Sequence, residues 1–416
     1  RQVSVGVVLL EISTEMLRLL TDVALRKDML DTASKAILLD ALMKVGICSN
    51  AERQLAVARL VTSTFGAEVT QLKDLIDAAN SYHTFFSLVY EAIPAGSVRE
   101  EVLAHVESEA RRSPRAGVKV LSDIDDTLIS SGGHFPAGVD RKLPKGVLYP
   151  GCTRLFRALD GPAQDQGSNL TFITARPHVY KDLLSPLKRL RSLAARGILH
   201  TFPTILPGDK WSSLRACLGA KCLRNDAWLP VGENKLELLR RYSRLYLEYD
   251  LIFCGDDGQG DLLAGQKALF DGLAESGCES SGASDSEEGA ELSCTGDPPG
   301  GRLLAVLIHE VSGGAPPLRF DPQEPHGEAW RAKWLARGLV CHRTYVGAAV
   351  ALRDLGAGVS EADVEAVAMD AITDFVQTMQ MNPGFDWEPA RRDLEEDLRK
   401  AGFPSAIQQA LERTSF

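Results

Sequence analysis

Four short apolar runs that alternate with helical stretches constrain the fold of this chain more than any other feature of its sequence. The runs lie at residues 118–121, 170–173, 251–254 and 303–308. Helical spacing of apolar residues occurs near residues 151–159, 178–195, 234–246 and 260–273. Short apolar runs of this kind are typical of buried parallel strands. The alternation therefore predicts an α/β fold with an open parallel sheet.

Helical patterns also occupy both ends of the chain. From residue 13 to residue 112 apolar residues recur at helical spacing, which predicts four or five amphipathic helices. Ser113 and Pro114 interrupt this pattern just before the first apolar run. Near the other end helical spacing returns, and Ser360 with Asp363 resembles a capping box. We therefore predict a helical region over residues 1–114, an α/β catalytic domain over 115–350 and a second helical region over 351–416.

Composition and charge restrict the functions open to the chain. Of its 416 residues 44% are hydrophobic and 25% charged, as in a globular protein of two or three structural units. The net charge of −10 leaves no general basic surface for a nucleic-acid backbone, and only Arg111, Arg112, Arg115 and Lys119 form a candidate basic patch. No stretch approaches the roughly 18 to 20 apolar residues needed to span a membrane. We expect neither a nucleic-acid partner nor a transmembrane segment.

The eight cysteines are scattered without CxxC pairs, which favours reduced thiols in an intracellular protein. Cys217, Cys222 and His200 could be interpreted as zinc ligands, but no second close pair supports that interpretation.

Two further segments of the chain have an unusual composition. Residues 276–301 contain Gly, Ser, Glu, Asp and Pro with scarcely an apolar side chain, which predicts a disordered acidic insertion. The chain begins with Arg1 rather than Met, so we expect a fragment or a processed chain.

An aspartate-rich turn follows the first apolar run. Asp123, Asp125 and Asp126 stand where the strand is expected to end, so that Asp123 and Asp125 would lie beside one cavity. One carboxylate could attack a phosphorus atom while the other moves protons. Acids alone would repel a phosphate ester, so a divalent cation is required, and carboxylate oxygens favour Mg²⁺. The alternative is a turn whose acids cap a helix or decorate a loop.

Two later apolar runs are also followed by polar turns. Thr174 follows the second run, where its hydroxyl and adjacent amides could bind a phosphoryl oxygen, although a plain helix start is the alternative. Asp256 follows the third run and is the natural metal ligand. Ligands of an open α/β sheet gather at the carboxyl ends of its strands. The turns at Asp123, Thr174 and Asp256 are therefore predicted to converge on one crevice.

A lysine is needed to offset the carboxylates and to hold the phosphoryl group. We choose Lys235, which lies in the helical segment before the third run, and Lys210 is the alternative. His134 and His178 are left outside the site, because single histidines near loops are more often structural. Asp126 is interpreted as a neighbour of the site rather than a catalyst.

The four motifs together resemble the signature of the haloacid dehalogenase superfamily, which comprises DxDx(T/V), a strand-terminal Thr or Ser, a Lys and an acidic GDxxxxD or DD segment. More narrowly, they look like the catalytic domain of actin-patch-associated phosphatidate phosphatases. That similarity rests on residues 122–127, 149–151, 174–177 and 255–261. It implies a haloacid dehalogenase-like Rossmannoid parallel sheet with a small flap and with helical regions on either side.

The resemblance also implies a role for each motif residue. Asp123 would become an aspartyl phosphate, while Asp125 would protonate the leaving group and later activate water. Thr174 and Lys235 would bind the phosphoryl oxygens.

The same resemblance implies a magnesium site. Mg²⁺ would be held by the Asp123 carboxylate, the Asp125 main-chain carbonyl and Asp256. Asp257 or Asp261 would steady the metal waters and the lysine.

The expected function is Mg²⁺-dependent hydrolysis of phosphatidate to diacylglycerol and phosphate, by a cytoplasmic enzyme acting at a membrane surface. The span between Leu128 and Tyr149 has room for a flap but not for a full cap domain, so a large head group or a lipid could enter. Two alternatives stay open. One is a phosphatase for a soluble phosphate ester or a phosphoprotein, and the other is a membrane adaptor or scaffold with a vestigial phosphatase fold.

Overall fold

A computed structural model of the chain describes residues 17–18, 21–22, 30–47, 50–78, 83–133, 139–160, 169–174, 186–207, 228–273, 301–312, 317–404 and 406–414. Over these ranges the predicted α/β class is confirmed, because a six-stranded parallel sheet is flanked by helices. The acidic insertion predicted at residues 276–301 lies outside the described residues except for Gly301.

The sheet has the strand order β3-β2-β1-β4-β5-β6, and every neighbouring pair is parallel. Its strands are β1 (Gly117–Ser122), β2 (Leu170–Thr174), β3 (Thr204–Pro207), β4 (Tyr249–Asp256), β5 (Leu303–His309) and β6 (Leu339–His342). The four predicted apolar runs are β1, β2, β4 and β5. The sequence interpretation missed β3 and β6, because they are edge strands of four residues each and such short runs do not separate strand from helix.

Fourteen helices can be assigned in the described ranges. They are α1 (Thr32–Val45), α2 (Ala51–Thr62), α3 (Ala67–Asp77), α4 (Phe85–Tyr90), α5 (Gly96–Arg112), α6 (Cys152–Asp160), α7 (Pro186–Ala195), α8 (Leu229–Leu245), α9 (Asp261–Asp271), α10 (Glu328–Leu335), α11 (Tyr345–Asp354), α12 (Glu361–Met381), α13 (Glu388–Lys400) and α14 (Ala406–Thr414). The capping box at Ser360 and Asp363 is confirmed at the start of α12. Among these helices none is long and apolar enough to cross a bilayer.

The direction of strand addition reverses between β1 and β4. Strands β2 and β3 extend the sheet beyond β1, whereas β5 and β6 extend it beyond β4. Ser122 pairs with Cys254, so β1 and β4 end at nearly the same level, and the Asp123 amide donates to the Cys254 carbonyl oxygen at 2.8 Å. In open α/β sheets ligands bind outside the carboxyl ends of strands at such a reversal.

Both faces of the sheet are covered, which explains why its strands are almost wholly apolar. Leu121 and Phe253 face a core that also contains residues of α1–α5 and α8–α10. Val120 and Ile252 face the opposite core, to which α6, α7 and α11–α14 contribute. The N-terminal helices therefore share a core with one face of the sheet.

Lys119 interrupts the apolar pattern of β1 and is fully buried. Its ammonium group lies 3.3 Å from Asp74 of α3 and donates to the Asn169 side-chain oxygen at 3.1 Å. The expectation that Lys119 belongs to a surface basic patch is therefore wrong. A charge inside a strand is stable there because a half-buried carboxylate from a distant helix lies beside it.

A second buried pair joins α3 to the amino end of the sheet. Lys73 of α3 forms an ion pair with Glu248, which directly precedes β4, and donates to the Leu245 carbonyl oxygen at 2.8 Å. The Tyr246 ring lies close to both lysines, with its centroid 5.1 Å from the Lys73 ammonium and 4.8 Å from that of Lys119. Because these charged groups are buried away from water, removing one of them leaves its partner without compensation and destabilises the fold.

We predict that Lys73→Met lowers the free energy of unfolding by about 3–5 kcal/mol, because it leaves Glu248 buried and unpaired. Urea unfolding measures this loss. The matched control is Lys44→Met, which removes an exposed pair with Asp40 and is expected to cost less than about 1 kcal/mol. The double variant Lys73→Met/Glu248→Leu should recover most of the loss, since both charges are then gone. Equal losses for Lys73→Met and Lys44→Met would contradict the prediction.

Candidate active site

Three carboxylates from different parts of the sequence meet at the carboxyl ends of β1 and β4. Asp123 follows β1, Asp256 is the last residue of β4, and Asp261 is the first residue of α9. Each is almost or fully buried, and one carboxylate oxygen of each lies within 4.8 Å of the others. The predicted convergence of Asp123 and Asp256 is thus present, and Asp261 belongs to the same cluster.

Lys235 of α8 lies between these carboxylates. Its ammonium nitrogen is 3.0 Å from an Asp123 oxygen and 2.6 Å from an Asp261 oxygen. The side chain is fully buried, as a lysine can be when paired acids surround it. The alternative, Lys210, lies outside the described residues.

Two glycines allow α8 to bring Lys235 this close. A Cβ atom on Gly232 would lie 2.8 Å from the Gly260 carbonyl oxygen, a distance that real Cβ atoms do not reach. Gly260 itself precedes α9 with a φ of 91°, a conformation that favours glycine. The beginnings of α8 and α9 therefore touch backbone to backbone, which places Lys235 against Asp261.

The cluster has three acidic side chains and one basic side chain, and this imbalance shifts their pKa values. Burial raises the pKa of Asp123 to about 7, with Lys235 opposing the rise and Asp261 adding to it. Burial also raises the pKa of Asp256 well above its usual value, and the carboxylates of Asp261 and Asp123 add to this. Burial alone would lower the pKa of Lys235, but the attraction of Asp123 and Asp261 outweighs it and holds the ammonium form.

Three buried oxygens of the cluster have no hydrogen-bond donor among the described residues: Oδ2 of Asp123, Oδ2 of Asp256 and Oδ1 of Asp261. The Asp261 oxygen lies 2.6 Å from the Lys235 ammonium nitrogen, so the other two are the ones with neither a donor nor a close cation there. Buried carboxylate oxygens are normally hydrogen-bonded or bound to a cation. Two free oxygens from hard ligands, next to a surplus of negative charge, fit a divalent ion such as Mg²⁺.

The other predicted site residues lie close to this cluster in the fold. Asp125 is two residues beyond Asp123, half-buried, and its charge raises the pKa of Asp123 further. Thr174 is buried at the carboxyl end of β2, the strand beside β1. The residues that follow Thr174, at 175–177, lie outside the described residues.

Asp257 has a different environment from the three clustered carboxylates. Its side-chain oxygens accept hydrogen bonds from the Val311 amide at 2.9 Å and from the Ser312 amide and hydroxyl at 2.9 and 2.6 Å. Asp257 therefore holds the segment that follows β5. Of the two residues proposed to steady the lysine, Asp261 is the one that contacts it.

The sequence interpretation placed Asp126 beside the site but did not predict its hydrogen-bond partners. Its carboxylate is fully buried and accepts hydrogen bonds from the Ser131 and Val139 amides at 2.8 and 2.7 Å, while its carbonyl oxygen accepts one from His309 at 2.8 Å. Its φ is 56°, a conformation that only glycine, aspartate and asparagine adopt readily. The sequence carries no signal for these partners, because they are close only in the folded chain.

Several residues considered in the sequence fall outside the described ranges. They are His134, His178, Cys217 and Cys222. His200 is described, and its Nε2 lies 2.6 Å from an Asp160 carboxylate oxygen. Among the described cysteines, Cys152, Cys254 and Cys341 carry free thiols.

Comparison of the chain with protein-family models, with curated proteins and with solved structures gives no match.

We predict that Asp256→Asn stabilises the metal-free protein and removes its response to Mg²⁺. Burial and the carboxylates of Asp261 and Asp123 raise the pKa of Asp256, so its ionised form is unfavourable in the fold, and replacing it with a neutral amide should raise the free energy of unfolding at neutral pH. In the parent protein, Mg²⁺ at a hundred times its Kd should add about 2.7 kcal/mol. Urea unfolding with and without MgCl₂ measures both effects.

The matched control for this experiment is Asp271→Asn, which changes an exposed carboxylate at the end of α9. It should keep the stabilisation by Mg²⁺. If Asp256→Asn is stabilised by Mg²⁺ as strongly as the parent protein, Asp256 is not a metal ligand.

Proposed function

We propose that this protein is a Mg²⁺-dependent phosphatase of the haloacid dehalogenase type, which works through an aspartyl phosphate on Asp123. One observation carries the proposal: unpartnered buried oxygens of Asp123 and Asp256 meet beside Lys235 at the point where the strand order reverses. Structural carboxylates are usually paired by donors on both oxygens. A buried cluster whose carboxylate oxygens lack donors is typical of a site that binds a cation and a ligand.

In the proposed first step an oxygen of Asp123 attacks the phosphorus atom of a phosphate monoester. The bond from phosphorus to the ester oxygen breaks, and Asp125 supplies the proton that the leaving alkoxide takes up. Lys235 and Thr174 would hold non-bridging oxygens of the phosphoryl group. The pair between Lys235 and Asp123 supports this, since it places the ammonium group next to the carboxylate that receives the phosphoryl group.

The second step releases phosphate. Asp125, now a carboxylate, takes a proton from water, and the resulting hydroxide attacks the phosphorus of the aspartyl phosphate. The Asp123 carboxylate leaves, which restores the starting state.

Magnesium would be held by the Asp123 and Asp256 carboxylates and by the Asp125 main-chain carbonyl. When bound, it would supply the positive charge that lets an anionic ester approach three acids. Asp261 has a separate role, because its ion pair keeps Lys235 oriented toward Asp123.

Phosphatidate is the substrate we propose, on the resemblance of the four motifs to phosphatidate phosphatases. Such an enzyme would act on a lipid head group at the surface of a membrane from the cytoplasm. A soluble phosphate ester is the competing substrate class, and the same site chemistry serves both.

We predict that Asp123→Asn abolishes Mg²⁺-dependent release of phosphate from p-nitrophenyl phosphate, because an amide is a poor nucleophile of nearly equal volume. Asp125→Asn should lower kcat by about 10²–10⁴-fold, the usual contribution of a general acid and base. The Asp125→Asn variant should still bind Mg²⁺, since it keeps the main-chain carbonyl oxygen that would be the ligand. The control is Asp370→Asn, an exposed position on α12. Full activity of Asp123→Asn would assign the nucleophile to another residue.

We predict that the parent protein releases phosphate from phosphatidate in mixed vesicles with MgCl₂, and faster than from glycerol phosphate at equal phosphate concentration. Phosphate is measured by a coupled colorimetric assay, with Asp123→Asn as the blank. Turnover of the soluble ester alone would contradict the lipid substrate and leave the phosphatase proposal standing. No turnover of any ester would contradict both.

A further inference from the structure

Asp126 joins two separate segments of the chain to the turn after β1. Its carboxylate accepts hydrogen bonds from the amide and the hydroxyl of Ser131, at 2.8 and 3.0 Å. It also accepts hydrogen bonds from the amides of Val139 and Asp140, at 2.7 and 3.1 Å. A charged acceptor with several donors holds these segments in one arrangement, since ionic hydrogen bonds are about twice as strong as neutral ones.

The backbone of Asp126 supports a specific purpose for this side chain. In the described ranges it is the single residue other than glycine with a positive φ, at 56°. That conformation is disfavoured by roughly 1–2 kcal/mol for most residues with a Cβ atom, and aspartate tolerates it when its side chain is hydrogen-bonded locally. The carboxylate also accepts a hydrogen bond from the Tyr149 hydroxyl at 3.4 Å, and its five hydrogen bonds compensate for this strain, whereas glycine at the same place would avoid the strain but lose the bonds.

Val139, one of the residues held by Asp126, is 43% exposed, and its Cγ2 atom lies against Gly258 in the turn that follows Asp256. A Cβ atom on Gly258 would lie 2.9 Å from Cγ2 of Val139 and 2.9 Å from Oδ1 of Asp256. The Gly258 amide donates to that same Oδ1 at 2.6 Å. With Oδ1 bound in this way, Oδ2 is the Asp256 oxygen left without a donor.

We propose that Asp126 is a positioning residue for the metal site. Its carboxylate fixes Val139, Val139 fixes the Gly258 turn, and the Gly258 amide orients Asp256 so that Oδ2 is presented beside Asp123. This inference rests on the metal site of the proposed function. It adds a residue that touches neither metal nor substrate, and whose loss acts through the orientation of Asp256.

Calorimetric titration of the full chain with MgCl₂ tests the proposal, because the affinity for the metal alone does not depend on turnover. Asp126→Asn should weaken Mg²⁺ binding by about 10–100-fold, the usual effect of losing a group that orients a ligand. Val139→Ala should weaken it less, since the Val139 amide still reaches Asp126. Asp370→Asn, on the exposed side of α12, should bind Mg²⁺ as the parent protein does.

A second variant separates loss of orientation from loss of folding. Asp126→Gly accepts the positive φ without strain but lacks the carboxylate, so it should weaken Mg²⁺ binding as Asp126→Asn does. Urea unfolding shows which variants are folded. If neither variant of Asp126 folds, Val139→Ala carries the test, and an unchanged affinity there overturns the proposal.

The outcomes also distinguish this proposal from the phosphatase assignment. Equal Mg²⁺ affinity for Asp126→Asn and the parent protein overturns the role of Asp126 and leaves the assignment intact. Mg²⁺ binding that depends on Asp126, without phosphate release from any ester, supports this role and overturns the phosphatase. A parent protein that binds no Mg²⁺ overturns the metal site, and the positioning role with it.

Discussion

The attraction between Lys235 and the carboxylates of Asp123 and Asp261 is the interaction on which the site depends. Without that ammonium group, three buried aspartates would repel one another at the ends of β1 and β4. The fold provides it by bringing α8 and α9 into backbone contact through Gly232 and Gly260. One cation against three acids still leaves a surplus of negative charge, and that surplus fits the Mg²⁺ site that we propose.

The residues that the sequence could predict are those whose position follows from local pattern. Asp123, Thr174 and Asp256 each end an apolar run, and parallel strands bring their carboxyl ends to one edge. Lys119 was misread because its partner Asp74 lies on another helix, and no local pattern marks a buried pair. The hydrogen bond from Val139 to Asp126 was not predicted for the same reason, since folding alone brings the two residues together.

The buried charges at the two ends of β1 and β4 differ in their balance of acids and bases. At the amino end, the two lysines Lys73 and Lys119 lie near three carboxylates, those of Glu248, Asp74 and Asp77, and their ion pairs attach helices to the sheet. At the carboxyl end the acids outnumber the base, which is destabilising unless a ligand compensates. The amino end thus has one acid in excess of its bases and the carboxyl end has two, and the larger excess fits the metal site that we propose there.

The burial of Lys119 in β1 also determines which fragments of this chain can fold by themselves. Composition suggests a cut at Ser113, where the helical pattern stops. A fragment beginning there would lose α3, and with it the ion-pair partners of Lys119 and Glu248, while Leu121 and Leu251 would lose part of their cover. Such a fragment would be prone to aggregation, and its inactivity would say nothing about regulation by the missing helices. Expression of the α/β part should therefore retain the helices, or replace Lys119 and Glu248 together with apolar residues.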